Sequence, residues 1–189
     1  MHDPRFEPGL ALIYKYDATP GRHTQACQYM VATGFPTGRP AFGEDRQQQE
    51  GRGLWVKEAS CLMHMVNVSG TCLFGYLSTT VNFVADYLSV VTGRAFSVAD
   101  MLETGERIAN MRQVFNVREG INPVTLPDPL RAYGHPPLSD GQTAGISLDM
   151  QQLSSEHLER MGWTLEAAIP RRETLERLGL HDVACDLWG

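Results

Sequence analysis

The chain has 189 residues, a length that suits one domain, or at most two small ones, with a sizeable hydrophobic core. Apolar residues make up 42% and charged residues 20%, which is typical of a folded globular protein and argues against disorder. The net charge is −6, with no long run of one sign, and this argues against a nucleic-acid partner because phosphate binding needs a basic face.

Neither a membrane span nor a secretion signal is apparent. No stretch reaches the roughly 18 consecutive apolar residues of a transmembrane helix, and the opening MHDPRFEPG lacks the apolar core of a signal peptide. We therefore expect no membrane partner and a cytoplasmic location, where the four cysteines are reduced. They contain no C-x-x-C pair, so the chain has no self-contained zinc or iron–sulfur motif.

The first third of the chain is rich in glycine and proline, and we predict that residues 1–43 are mostly irregular. Within them, the apolar run LALIY at 10–14 has a period that does not distinguish a short helix from a strand.

Two helices are predicted next. The first runs from about Asp45 to Val68 and ends near Ser69-Gly70, with an apolar face at helical spacing formed by Leu54, Cys61, Leu62, Met65 and Val66. The second ends at Gly93, a residue suited to closing a helix, and its apolar stripe comprises Val81, Val84, Leu88 and Val91.

The third helix has the clearest start, because Ser97 and Asp100 have the spacing of a capping box. Its predicted buried stripe comprises Val98, Met101, Leu102, Ile108 and Phe115, and it stops near Glu119-Gly120. Glu103 and Arg107 are four residues apart on one face, so their charges are interpreted as pairing within a scaffold helix.

A long loop rich in proline and glycine follows, and two helices, at about 147–161 and 170–178, close the chain. The predicted fold is mainly α: a multi-helical, bundle-like single domain over residues 1–189, with a long irregular N-terminal segment and long Pro/Gly loops.

Several short sequence motifs occur in an order that is more informative than any one of them alone. They are HDPR (2–5), GLALIY (9–14), PGRH (20–23), G-x-C (70–72), VTG (91–93), GERI (105–108), FNVREG (115–120) and LERLGL (175–180). In this order the series resembles the C-terminal part of the aldehyde ferredoxin oxidoreductase family, and the resemblance covers essentially the whole chain.

The resemblance implies an oxidoreductase that oxidises aldehydes to carboxylic acids with a tungsten or molybdenum bis-pterin cofactor and a [4Fe–4S] cluster, and that passes electrons to ferredoxin. In the family, an N-terminal domain cradles the pterins and a middle domain carries three cluster cysteines. We therefore expect this chain to correspond to the third domain alone, to be inactive in isolation, and to need the other domains or a separate subunit carrying them.

From the residues alone, Cys72 is most simply a buried, inert thiol. By resemblance it would be the fourth ligand of the cluster, and the surrounding Asn67, Gly70, Thr71 and Leu73 would contact a pterin. Asn67 stands where the family has an aspartate, which replaces a negative acceptor by a neutral amide.

From the residues alone, His23 is a solvated loop histidine. By resemblance it would be the catalytic residue that transfers a proton as the aldehyde is oxidised, work that suits an imidazole because its pKa lies near neutral pH.

Two alternatives stay open at this stage. The chain could be a stand-alone helical interaction module or assembly subunit without catalysis, with an exposed apolar patch at its interface. It could instead be part of a related aromatic acyl-thioester reductase. Whether it forms a homo-oligomer is also open.

Overall fold

The computed structural model describes residues 2–24, 47–80 and 82–189. In these residues the chain forms eight helices and no strand longer than an isolated β-bridge, which confirms the mainly-α prediction. The helices are α1 (Gly9–Tyr16), α2 (Arg52–Val68), α3 (Leu73–Tyr76), α4 (Phe83–Thr92), α5 (Val98–Arg118), α6 (Met150–Met161), α7 (Arg172–Arg177) and α8 (His181–Trp188). Across the described ranges, none of these helices combines the length and the apolar character that crossing a membrane would require.

The N-terminal segment is less irregular than predicted, because the LALIY run forms helix α1. Six of its eight residues are buried, including Leu10, Ala11, Leu12 and Ile13. A short helix that is buried over most of its surface shows little amphipathic period, and this is why its spacing was uninformative. The remainder of the predicted irregular segment, residues 25–43, lies outside the described residues.

Helix α2 begins later than predicted, at Arg52 rather than Asp45, which itself lies outside the described part of the chain. Gly51 has φ 81°, a left-handed conformation that ends any helical path from the preceding residues. The predicted end at Val68 is confirmed.

Helix α4 is closed by Gly93 at φ 68°, as predicted. Its predicted stripe is partly wrong, since Val91 is 62% exposed while Val84 and Ala85 are buried. The helix contacts the core mainly through its first turn, so its C-terminal half faces solvent. Val81 lies outside the described residues.

Helix α5 has the predicted capping box: Asp100 N–H donates to Ser97 Oγ at 3.2 Å, and Ser97 N–H donates to the Asp100 carboxylate at 2.7 Å. The predicted Glu103–Arg107 ion pair is also present, at 3.1 Å. The predicted stripe is wrong at Phe115, which is 64% exposed. The predicted Met101 is buried, as is Val114, and the rest of the buried face is formed by small and polar residues, namely Gly105, Glu106, Ala109, Asn110 and Gln113.

The C-terminal region contains three helices where two were predicted. Helix α6 starts at Met150, with Asp149 as its cap, rather than at Ser147. Pro170 does not open α7, because it pairs with Trp163 in a β-bridge. Helix α8 was missed, since it is short and has no side-chain cap to mark its start.

Helix α2 lies at the centre of the fold and packs against α5 and α6 at backbone distance. A Cβ atom on Gly105 would overlap the carbonyl group of Cys61, and one on Gly53 would lie 2.7 Å from the backbone nitrogen of His157. The two glycines therefore permit helix contacts that any side chain would prevent.

Candidate functional site

The segment that contains the predicted cluster and pterin residues is the turn between α2 and α3. After Ser69, Gly70 has φ 74°, and Cys72 returns to an extended conformation before α3 begins. A residue with a Cβ would be strained at Gly70, although no neighbour lies within 4 Å of that position. The glycine thus serves to reverse the chain direction, and the surface beside it is open.

Cys72 is exposed, and this contradicts the simple interpretation of a buried, inert thiol. The backbone N–H groups of Gly75 and Phe74 donate to its sulfur and lower the pKa of the thiol. Both contacts favour the thiolate, which is the form that binds metal. A sulfur that is exposed and already held by two N–H donors is suited to the role of one ligand to an iron centre.

The other predicted site residues of this segment differ in how far they are exposed. Asn67 and Gly70 are exposed, and Thr71 is half-buried, its hydroxyl accepting a hydrogen bond from Ser69 Oγ at 2.8 Å. Leu73 is also half-buried and packs against the core cluster that contains Leu62. Their contact with a pterin stays a prediction.

His23 lies in the loop that follows α1 and is half-buried. Its ring stacks on that of His2, with 3.8 Å between the ring centroids and 16° between the planes. Burial and the positive charge of His2 both lower the pKa of His23. A neutral imidazole can accept a proton, so the geometry is compatible with the predicted proton transfer, which stays a prediction.

A partly buried polar network that was not predicted from the sequence joins the His23 loop to α2. Arg112 on α5 donates to Thr19 Oγ1 at 3.1 Å and lies 3.7 Å from the carboxylate of Asp17. The same guanidinium is 3.2 Å from Nδ1 of buried His64, which lies one turn before Asn67 on α2. Burial is the main cause that lowers the pKa of His64, and the positive charge of Arg112 lowers it further. The ring therefore stays neutral and accepts this bond.

A second residue of α5 also contacts this loop. Asn116 Nδ2 donates to the backbone carbonyl of Ala18 at 3.2 Å. Arg112 on α5 thus contacts both the loop that precedes His23 and α2, three residues before Asn67.

Two further cysteines lie in the described residues. Cys61 is buried, and burial raises the pKa of its thiol to about 12, while Cys185 is exposed on α8. Within residues 2–24, 47–80 and 82–189 no group of three or more His, Cys, Asp or Glu side chains could hold a metal ion. Since a [4Fe–4S] cluster takes four thiolates, the described residues fit the role of one ligand and not of a complete site.

Exposed apolar side chains follow this segment in α3, in the residue after it and in α4. We call them the α3–α4 face; they are Phe74, Leu77, Phe83, Tyr87, Val90 and Val91. Phe83 and Tyr87 stack on each other with 6.4 Å between ring centroids, while Tyr76, Val84 and Ala85 on the opposite side are buried. A concentration of exposed apolar residues on two neighbouring helices is typical of an interface.

Comparison with known proteins gives consistent results. A family described as "Aldehyde ferredoxin oxidoreductase, domains 2 & 3" matches residues 1–180. Three proteins named tungsten-containing aldehyde ferredoxin oxidoreductase, from Pyrococcus abyssi, Pyrococcus horikoshii and Pyrococcus furiosus, are 28%, 27% and 26% identical over 184 residues. Each match covers 96% of this chain and 29% of the relative, so the chain spans less than a third of these relatives' length.

Proposed function

The chain belongs to the aldehyde ferredoxin oxidoreductase family, in the region described as domains 2 and 3, and from this premise we propose that it is the C-terminal helical domain of an enzyme that oxidises aldehydes to carboxylic acids. The whole enzyme's activity, its ferredoxin partner and its cofactors belong to this proposal. Because the matched family comprises domains 2 and 3 together, the assignment to the third domain alone is also part of the proposal.

The observation that carries the proposal is the exposed thiol of Cys72. The backbone N–H groups of Gly75 and Phe74 lower the pKa of this thiol, which lies at the start of a helix rather than in the core. Hydrogen bonds to ligand sulfurs tune the reduction potential of an iron–sulfur centre. A bound [4Fe–4S] cluster would supply one-electron transfer towards ferredoxin, and Cys72 would hold one of its irons while the remaining thiolates come from outside the described residues.

The proposal assigns the neighbouring residues to positioning and proton transfer. Asn67, Gly70, Thr71 and Leu73 would bind one pterin of a tungsten or molybdenum cofactor, with Gly70 allowing close approach of the backbone. His23 would accept the proton that is released as the aldehyde is oxidised. Arg112 and Asn116 would act as positioning residues, because both hold the loop before His23.

A chimeric enzyme tests these assignments. The region of the Pyrococcus furiosus relative that matches this chain is replaced by the chain, and the protein is purified without oxygen for iron analysis and visible absorption. We expect bound iron and cluster absorption, both reduced in a Cys72→Ser chimera and both retained in a Cys185→Ser chimera, which changes another exposed cysteine.

Two results would contradict the proposal. A chimera that folds but contains no iron contradicts the family role, and a Cys72→Ser chimera with undiminished iron contradicts the ligand role. For His23, a His23→Ala chimera that keeps its metals and its full aldehyde turnover would exclude proton transfer by this residue.

The α3–α4 face favours a second candidate function, that of an assembly module without catalysis. Its apolar side chains would be covered by a partner protein or by a second copy of the chain. If the chimera above is inactive and metal-free while the isolated chain forms a stable complex through this face, the second function replaces the first.

A further inference from the structure

A small cavity lies inside the fold, where α1, α2, α5 and α6 meet. Its volume is about 20 Å³, and a cavity of about 10–15 Å³ is already large enough to hold one water molecule. On α2 it is lined by Val56, Ser60 and His64, which are four residues apart and therefore lie on one face of the helix. Asp17 at the end of α1 and His157 on α6 add polar groups from the neighbouring elements.

The polar groups around this cavity are well shielded from solvent. The side chain of Asp17 is 3% exposed, and His64 and His157 are each 4% exposed. Burial lowers the pKa of both rings, and the negative charge of Asp17 opposes this effect in each, so the carboxylate lies near both. A cavity lined only by apolar groups stays dry, whereas buried polar groups bind water where the protein supplies no other partner.

The hydrogen bonds of the two histidines fix which ring nitrogen carries the proton. A guanidinium can only donate, so Nδ1 of His64, at 3.2 Å from Arg112, is an acceptor and Nε2 of this ring carries the proton. A carbonyl can only accept, so Nδ1 of His157, at 3.4 Å from the carbonyl oxygen of Gly53, carries the proton and Nε2 is an acceptor. The two rings therefore offer one N–H donor and one acceptor beyond these bonds.

Asp17 and Ser60 offer a second acceptor and a second donor. Oδ1 of Asp17 accepts from the backbone N–H and the hydroxyl of Thr19, at 2.8 and 2.9 Å, while Oδ2 makes no hydrogen bond to the residues that the structure describes. The Ser60 hydroxyl likewise has no hydrogen-bond partner in that part of the chain. Two acceptors and two donors match the two donors and two acceptor sites of a water molecule.

We propose that this cavity binds one ordered water molecule, which donates to His157 Nε2 and to the carboxylate of Asp17 and accepts from His64 Nε2 and Ser60 Oγ. The water joins α2 and α6 to Asp17, which begins the loop that leads to His23. Binding rests on the geometry of these groups. The consequence that the water helps to position His23 for proton transfer rests on the proposed function.

Two measurements on the isolated full chain test the site directly. By NMR, we expect a long-lived water that shows cross-relaxation with the ring protons of His64 and His157. In a crystal of the chain, one density peak should lie at about 2.7–3.2 Å from His157 Nε2 and from the Asp17 carboxylate. A peak with several oxygen contacts near about 2.4 Å would indicate a metal cation and would overturn the proposal.

His157→Phe keeps a ring at this position but removes the acceptor, and His181→Phe is the matched control because His181 is exposed on α8. We expect His157→Phe to lose the long-lived water. Hydrogen exchange of the Thr19 amide, which donates to Asp17, should become about fivefold faster, the equivalent of one ordinary hydrogen bond. His181→Phe should change neither quantity.

Ser60→Ala is a smaller change in the same cavity and keeps the test available if His157→Phe does not fold. It should shorten the residence time of the water, whereas Ser155→Ala, which changes a hydroxyl outside the cavity, should not. A parent chain without a long-lived water here, a His157→Phe chain that keeps it, or equal residence times in Ser60→Ala and the parent would each contradict the proposal. These measurements need neither a cluster nor a pterin, so failure here is distinct from failure of the chimera.

Discussion

Two regions of the molecule differ sharply in how they are packed. Where α2 packs against α5 and α6, the helices meet at backbone distance through Gly53 and Gly105, and several buried polar groups have partners. One example is Asn110, which accepts a bond from Trp163 Nε1 at 2.9 Å. The α3–α4 region instead joins the core on one side only and exposes apolar side chains on the other.

The residues that stabilise the fold are therefore different from the residues of the candidate site. The close-packed region provides a scaffold in which the helices pack against one another. The Cys72 turn and the α3–α4 face lie outside that scaffold, where cofactor or protein contacts can be made without breaking it. Substitutions in the two regions should therefore have opposite effects on stability and on association.

The largest expected effect is that of Gly105→Ala. The added methyl group would overlap the carbonyl of Cys61, and because both groups are attached to backbone, α2 and α5 would have to move apart. We expect a loss of about 3 kcal/mol in the free energy of unfolding, measured by urea denaturation. Gly75→Ala is the control, since its nearest neighbour would lie at an ordinary 3.8 Å. Equal stabilities of the two variants would contradict the backbone-contact interpretation.

The second-largest expected effect is a dependence of the free energy of unfolding on pH. Burial lowers the pKa of His157 from 6.5 to about 4 in the folded chain, whereas the unfolded chain binds this proton near pH 6.5. The unfolded state thus holds more protons between these values, so this contribution to stability is complete above pH 6.5 and is lost as the pH falls towards 4. The loss should reach about 3 kcal/mol.

His157→Gln removes this titration, and its free energy of unfolding should depend less on pH between 6.5 and 4 than that of the parent. His181→Gln, which changes an exposed histidine, should retain the parent's dependence. Parallel pH profiles for the parent and His157→Gln would refute the assignment. Chemical denaturation at a series of pH values provides the measurement.

The smallest effect on stability is expected on the α3–α4 face. Val90 is 83% exposed, so Val90→Ser should change the free energy of unfolding by no more than about 0.5 kcal/mol. It should, however, reduce binding of a hydrophobic dye and any concentration-dependent association seen by sedimentation. Val56→Ser makes the same change at a buried position in α2 and should cost about 3 kcal/mol. If Val90→Ser is as damaging as Val56→Ser, the two regions are not distinct.

Sequence patterns of a few neighbouring residues correctly predicted helix ends that depend only on those residues. The Ser97 capping box and the Gly93 terminus depend on a few neighbouring residues, and both are present as predicted. Predictions that required knowledge of neighbouring helices were less successful. Phe115 was placed in the core from its spacing, but the inner face of α5 is occupied by Gly105 and by polar side chains with distant partners.

The candidate site shows the same limit. The order of short strings identified the family and singled out Cys72 and His23, although their roles stay predictions. The string GERI contains Gly105, but its contact with Cys61 could not be read from the sequence because it depends on how two helices cross. Likewise, Arg112 lies 93 residues from Thr19, and no local pattern indicates a hydrogen bond between them.

The close contacts of α2 also limit how far Cys72 can move. Because α2 meets its neighbours at backbone distance at both Gly53 and Cys61, its position relative to α5 and α6 is closely constrained. Any displacement of the Cys72 sulfur must then come from the four residues 69–72, which span about 14 Å when fully extended. Under the proposed function, the other thiolates of a cluster would therefore have to approach the surface of this domain, because residues 69–72 give Cys72 only a short reach.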